Sequence, residues 1–216
     1  MKIETCELSK SFNKNEVVSN INLTFRSGKI YGLYGRNGAG KSVFLKLICG
    51  FYVPTKGKVL FDGIDYNKNL QYPPSLRALI EKPSFFSDLS GFDNLKFLAK
   101  IQNKIGDKEI LEALEIVNLI NEKDKKYGKY SLGMKQKLGI AQVIMENPDI
   151  MIFDEPFNGI ERKTVIKLID YLEKEKSKGK LIILSSHIKD DLLKLSDEIY
   201  YFDSGRVISK DTIDEV

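Results

Sequence analysis

Three stretches follow one another without a break near the start of the chain: an apolar run at residues 30–34, a glycine-rich octapeptide at 35–42, and apolar residues at helical spacing over 41–49. The octapeptide reads Gly35-Arg36-Asn37-Gly38-Ala39-Gly40-Lys41-Ser42, the full G-x-x-x-x-G-K-S pattern. Its glycines let the backbone curl so that successive N–H groups point inward at an anion. Val43, Phe44, Leu47 and Ile48 share one helical face, so the loop runs into a helix N-terminus, which also favours negative charge. Strand, glycine loop and helix in this order form a phosphate cradle and commit the chain to an α/β architecture.

Within such a cradle Lys41 reaches β- and γ-phosphates, and the Ser42 hydroxyl is a ligand for Mg²⁺. The loop implies nucleoside triphosphate binding. Alone it does not separate a GTPase or a kinase from other users of the same device.

A second acidic element narrows the choice. Residues 150–153 form an apolar run closed by Asp154 and Glu155. In a parallel sheet, ligands gather beyond the C-terminal strand ends, which puts Asp154 near the phosphate loop as a metal ligand. Glu155 is then placed to polarise an attacking water as general base.

Alternating residues Ile21, Leu23 and Phe25 mark a half-buried strand within 1–34, and residues 57–62, 77–80, 181–185 and 199–202 read as further strands. Between Gly91 and Met145 the period changes to that of helices, with Leu95, Leu98, Ile101 and Ile105 on one face and Ile110, Leu111, Leu114 and Val117 on another. A further helix is expected over 161–177. The expected fold is α/β: a P-loop NTPase core with a mostly parallel sheet, an N-terminal antiparallel β portion and an inserted helical subdomain. The division is 1–84 and 146–216 for the nucleotide-binding core and 85–145 for the helical part.

Composition excludes several classes. The 34 Lys and Arg against 30 Asp and Glu leave a net charge of only +4, spread along the chain, so no basic stripe offers itself to nucleic acid. No apolar run approaches the roughly 20 residues that span a bilayer, and the start of the chain lacks a signal-peptide pattern. The expectation is a cytoplasmic protein that reaches the membrane only through partners. Cys6 and Cys49 have no metal-ligand spacing and read as reduced, buried thiols.

Residues 130–136, Tyr130-Ser131-Leu132-Gly133-Met134-Lys135-Gln136, resemble the signature of the ATP-binding cassette family, Leu-Ser-Gly-Gly-Gln, in degenerate form. Ser131 and Gly133 match; Leu132 and Met134 replace a Gly and the Gln. The signature precedes a helix expected over 135–145, and Ser131 also suits a helix N-cap. His187, the only histidine, follows a strand 32 residues after Glu155, where the family has its switch histidine. Phe12, 23 residues before Gly35, stands where the family stacks an aromatic on adenine. Glu161 replaces the Asp that usually ends the D-loop. Glu81 replaces the Gln that senses Mg²⁺ and touches the membrane subunit, and with the Ser-Leu-Gly-Met signature this resembles the bacitracin-resistance and lantibiotic-immunity exporters.

The resemblance covers the chain from Phe12 to about Arg206 and implies an ATPase using ATP and Mg²⁺. Ser131 and Gly133 then belong to the opposite subunit's nucleotide, in a homodimer or pseudo-dimer closed by two ATP. The partners are integral membrane permease subunits, docked near Glu81 and residues 83–93, and no nucleic acid is involved. With so few residues after Val207, the accessory C-terminal domain of some sugar importers is not expected. A soluble cassette ATPase unconnected with transport is the alternative; a GTPase is disfavoured by the absence of an Asn-Lys-x-Asp motif.

Overall fold

Every segment expected as a strand is one in the computed structural model, which describes residues 1–66 and 75–213. Strands β1 (Lys2–Phe12), β2 (Asn15–Arg26) and β4 (Lys56–Phe61) form an antiparallel sheet in the order β2-β1-β4. Strands β3 (Lys29–Tyr34), β5 (Leu76–Leu79), β6 (Ile150–Asp154), β7 (Leu181–Ser186), β8 (Glu198–Asp203) and β9 (Arg206–Thr212) form a second sheet, ordered β5-β6-β7-β3-β8-β9. All its neighbours pair in parallel except β8 with β9.

Helices cover both faces of this sheet, which is why β6 and β7 are apolar almost throughout and buried along their whole length. Their alternate residues enter two different cores. Ile150, Ile152, Leu181 and Ile183 pack with α1 (Lys41–Ile48) and the antiparallel sheet. Met151, Phe153, Ile182 and Leu184 pack on the other side with α2 (Gly91–Gln102), α3 (Asp107–Ile116), α4 (Leu132–Ile144) and α5 (Arg162–Ser177). Truncating a fully buried residue such as Phe153 to Ala would cost about 3–5 kcal/mol.

The helical block departs from the sequence expectation at its element ends. Ile105 does not continue α2, because Asn103 turns the chain left-handed (φ 52°) as the C-cap. Val117 is likewise the C-cap of α3 rather than part of it. The signature helix starts three residues earlier than expected. Ser131 is its N-cap and accepts a hydrogen bond from the Met134 amide at 3.2 Å, so Leu132 already lies in the first turn. The short α6 (Lys189–Leu193) and the edge strand β9 were not expected from the sequence.

β6, β7 and β3 are consecutive in the sheet, and their C-terminal ends deliver Asp154–Glu155, His187 and the Gly35 loop to one edge. Three motifs far apart in sequence converge because parallel strands finish on the same side.

Candidate nucleotide site

The loop between β3 and α1 closes over a depression of about 180 Å³, lined by Asn37 to Val43 together with Val17 and Glu155. That is below the roughly 300–1,000 Å³ of pockets that enclose a small molecule, so one chain supplies a floor without a roof. Gly40 caps α1 with φ +100°, a conformation that strains any residue with a Cβ. It offers no side-chain acceptor to the helix, so the first amides of α1 remain free for an anion.

A brace that the sequence reading missed lies behind the loop. Gly205, in the turn between β8 and β9, donates from its N–H to Ala39 O at 3.0 Å and accepts from Ser19 N at 2.9 Å. It has φ +77°, and a Cβ there would come within 2.4 Å of Val17 O. Ser-Gly in a turn is an ordinary signal; nothing in the local sequence says that this turn holds the phosphate loop.

Lys41 is 5% exposed. Its ammonium donates to Gly35 O at 2.6 Å and to Arg36 O at 3.3 Å, which pins the side chain across its own loop. It also faces Glu155 Oε1 at 3.7 Å. That oxygen is buried and makes no hydrogen bond. The other carboxylate oxygen, Oε2, is 2.8 Å from His187 Nδ1 and 3.4 Å from the Asn158 amide that donates to it.

The backbone of Glu155 is left-handed, φ +50°, a conformation costing a non-glycine residue roughly 1–3 kcal/mol. Its N–H donates to Ser185 O at 3.2 Å and to Ser185 Oγ at 3.1 Å. The Ser185 hydroxyl in turn donates to Asp154 Oδ1 in a short contact. One residue of β7 thus holds both acids. Past that strand, the Ile188 amide donates to Ser186 Oγ at 3.0 Å, a turn that presents His187.

The loop, Asp154, Glu155 and His187 therefore come together as expected, while five other candidates lie elsewhere within the chain. Ser131 and Gly133 are on α4, outside the depression. Gly133 abuts the turn before Glu161 so closely that a Cβ would meet Gly159 O at 2.3 Å. Glu161 is held by Lys137 Nζ at 2.6 Å, an ion pair that lowers the Glu161 pKa. Phe12 ends β1, 38% exposed, edge-on to Tyr52 at 5.3 Å. The Glu81 carboxylate is bound by Lys46 on α1 rather than pointing into the depression.

Residues 18–158 match the model of a protein family described as ABC transporter. The chain belongs to the ABC transporter family. It is an ATP-hydrolysing, nucleotide-binding cassette of that family. It is 40% identical over 211 residues to an uncharacterized ABC transporter ATP-binding protein of Bacillus subtilis, covering 98% of this chain and 97% of that protein. It is 39% identical over 216 residues to the bacitracin transport ATP-binding protein BcrA of Enterococcus faecalis, covering 99% of this chain and 70% of BcrA. The lantibiotic transport ATP-binding protein SrtF of Streptococcus pyogenes is 35% identical, with 93% and 86% covered. Among solved structures, the ATP-binding subunit of an ABC transporter superposes with a TM-score of 0.88 at 26% identity, covering 99% of this cassette and 90% of that chain. A dimeric cassette in a post-hydrolysis state with ADP and Pi shares the fold, with a TM-score of 0.90 at 21% identity and 99% and 100% covered. Among the described residues of this ABC cassette no helix is long and apolar enough to cross a membrane.

Proposed function

We propose that this cassette dimerises around two ATP, hydrolyses them with Glu155 as general base, and so drives membrane permease subunits that export a peptide antibiotic or another toxic compound. The observation that carries the catalytic part is Glu155 Oε1. It is a buried acceptor without a hydrogen bond, aimed at the phosphate loop beside Lys41. An atom in that state is free to accept a proton from water. His187 holds the other carboxylate oxygen and orients the group.

Mg²⁺ usually keeps one or two protein ligands and takes the rest from phosphates and water, and Ser42 with Asp154 makes such a donor set. Bound there, the ion would neutralise charge on the β- and γ-phosphate oxygens. The chain's own part is to bind phosphate through the α1 amides and Lys41, to fix the Asp154 carboxylate through the Ser185 hydroxyl, and to receive a proton at Glu155 Oε1. Phe12 and Tyr52 offer an exposed aromatic face at the end of β1 for adenine. Ser131 and Gly133 lie outside the chain's own depression, in accord with their serving the nucleotide of a second copy. Glu81 would approach the metal only after leaving Lys46.

The membrane partner fits the helical block beside Glu81. Phe86 and Phe97 lie edge to face at 5.4 Å and are 57% and 50% exposed, with Ile101 exposed nearby on α2. Large apolar side chains left in water together mark an interaction surface. Docking there would keep the cassette on the cytoplasmic face of the membrane. The bacitracin and lantibiotic names of the relatives support export of a peptide antibiotic. The test is removal of the cassette from its host, followed by growth against bacitracin and a panel of lantibiotics. Sensitisation to one of them supports the cargo class; unchanged tolerance to all overturns it, while leaving the ATPase assignment intact.

A further inference from the structure

Glu155 is gripped on its carbonyl side by a residue of the signature helix. Gln136, half-buried on the second turn of α4, donates from its side-chain amide to Glu155 O at 3.2 Å and to Pro156 O at 3.4 Å. Two neighbours on the same helix fasten the segment that follows: Gly133 against Gly159 and Lys137 on Glu161. From the opposite side Ser185 holds the Glu155 N–H. The left-handed residue is thus fixed at both of its peptide groups, by β7 at the nitrogen and by α4 at the oxygen. A non-glycine residue stays in that conformation only where its surroundings over-determine it.

We propose that Gln136 is a positioning residue for hydrolysis: its amide holds the left-handed turn that aims the Glu155 carboxylate at the phosphate loop. The inference rests on Glu155 being the general base. It follows from the roles of the two partners that Gln136 must donate. Both of its acceptors are carbonyl oxygens, so an apolar side chain of equal bulk strips the bond from Pro156 O and leaves Glu155 O only the Asn158 amide at 3.3 Å, and a carboxylate repels both. Because Gln136 shares α4 with Ser131 and Gly133, a displacement of the start of that helix reaches Glu155 through one side chain.

Three variants of the full chain test this, with ATP binding and steady-state hydrolysis measured on each. Gln136→Met keeps the bulk and loses both donors. Gln136→Glu keeps the shape and regains one O–H donor only when protonated. Glu155→Gln serves as the control for the base. Gln136→Met is expected to lower kcat about tenfold, with ATP affinity and KM unchanged. Gln136→Glu is expected to be as poor at pH 8, and its rate relative to wild type at the same pH should rise as pH falls toward 5.5. Two carbonyl neighbours hold a carboxyl above its ordinary value, which places the recovery in that window. A merely space-filling role gives Gln136→Met wild-type turnover, and a pH-independent ratio for Gln136→Glu equally overturns the proposal. If Glu155→Gln hydrolyses normally, the base assignment fails and the proposal with it. If Glu155→Gln is inactive while Gln136→Met is normal, only the positioning role is lost.

Discussion

Lys46 binds the carboxylate of Glu81 from α1, one helical turn beyond Ser42. Donation to Glu81 is the main reason the Lys46 pKa is raised. The same ammonium lies 5.3 Å over the ring of Tyr52, which packs edge-on against Phe12. The acid expected at the permease junction is therefore linked through Lys46 to Tyr52, the ring that packs against the aromatic expected at adenine. Glu81 is 64% exposed, so its ion pair contributes at most about 1 kcal/mol to stability.

Glu81→Ala should leave ATP binding nearly intact, because residues 35–42 supply most of it. Hydrolysis by the isolated chain should fall modestly and transport much more, with Glu81→Gln the milder change. Lys46→Ala should leave the thermal midpoint within a few degrees of wild type. Measuring hydrolysis and transport side by side with the permease present decides the point: parallel losses would remove Glu81 from any coupling role.

Replacing Glu155 by Gln keeps its shape and the Asp154 donor while removing the proton acceptor. Turnover should drop by about 10²-fold or more with ATP still bound, and a dimer should accumulate in ATP. Sedimentation in ATP, compared with ADP, reads the trapped species.

Lys41→Ala acts before chemistry. It deletes a cation already pinned over the loop by Gly35 O and Arg36 O, so nucleotide affinity itself should decline. An unchanged dissociation constant for ATP would mean that the loop does not bind phosphate.

The brace at Gly205 predicts a loss far from the chemistry. Gly205→Ala forces a Cβ onto Val17 O in a left-handed backbone and should cost roughly 1–3 kcal/mol. In a chain of this size that lowers the thermal midpoint by about 2–4 °C per kcal/mol. ATP affinity should weaken too, since the Gly205 amide anchors Ala39. A stable variant that binds ATP normally would show the turn to be independent of the loop.

Glu198 gives a pH-dependent term. Burial pushes its carboxyl up, but bonds from Lys210 at 2.8 Å, Lys29 at 2.7 Å and the Tyr200 hydroxyl at 3.0 Å outweigh burial and hold it below its ordinary value. A carboxyl with a depressed folded pKa stabilises the fold above its unfolded pKa, about 4.3. That stabilisation is lost as pH falls through the folded value. The midpoint gap between wild type and Glu198→Gln should therefore be widest near pH 7 and close below about pH 4. A gap that persists in acid would assign the effect to packing.

What could be read from the sequence was what a short stretch of chain encodes by itself. The loop at 35–42, the apolar run ending in Asp154 and Glu155, and the helical period after Gly91 are local patterns, and each formed the element expected. β9 escaped because its residues are almost all exposed, which leaves no alternation to detect. Residue partnerships escaped for a different reason. Gln136 lies 19 positions from Glu155, Ser185 lies 30 from it, and Gly205 sits 166 beyond Ala39, so nothing nearby in the chain announces them. Glu81 was legible as a departure from its family, but its lysine partner was not.

A serine hydroxyl has a single proton. In Ser185 that proton goes to Asp154, which obliges the oxygen to take the Glu155 amide with a lone pair. Neither bond can reverse, because a carboxylate cannot give and an amide cannot accept. The hydroxyl is therefore a one-way spacer that fixes how far apart the two acids stand and forbids either from turning alone. Threonine could keep that polarity. Alanine and valine could not, and cysteine, with its longer bond to a weakly bonding sulfur, would reset the gap between the acids.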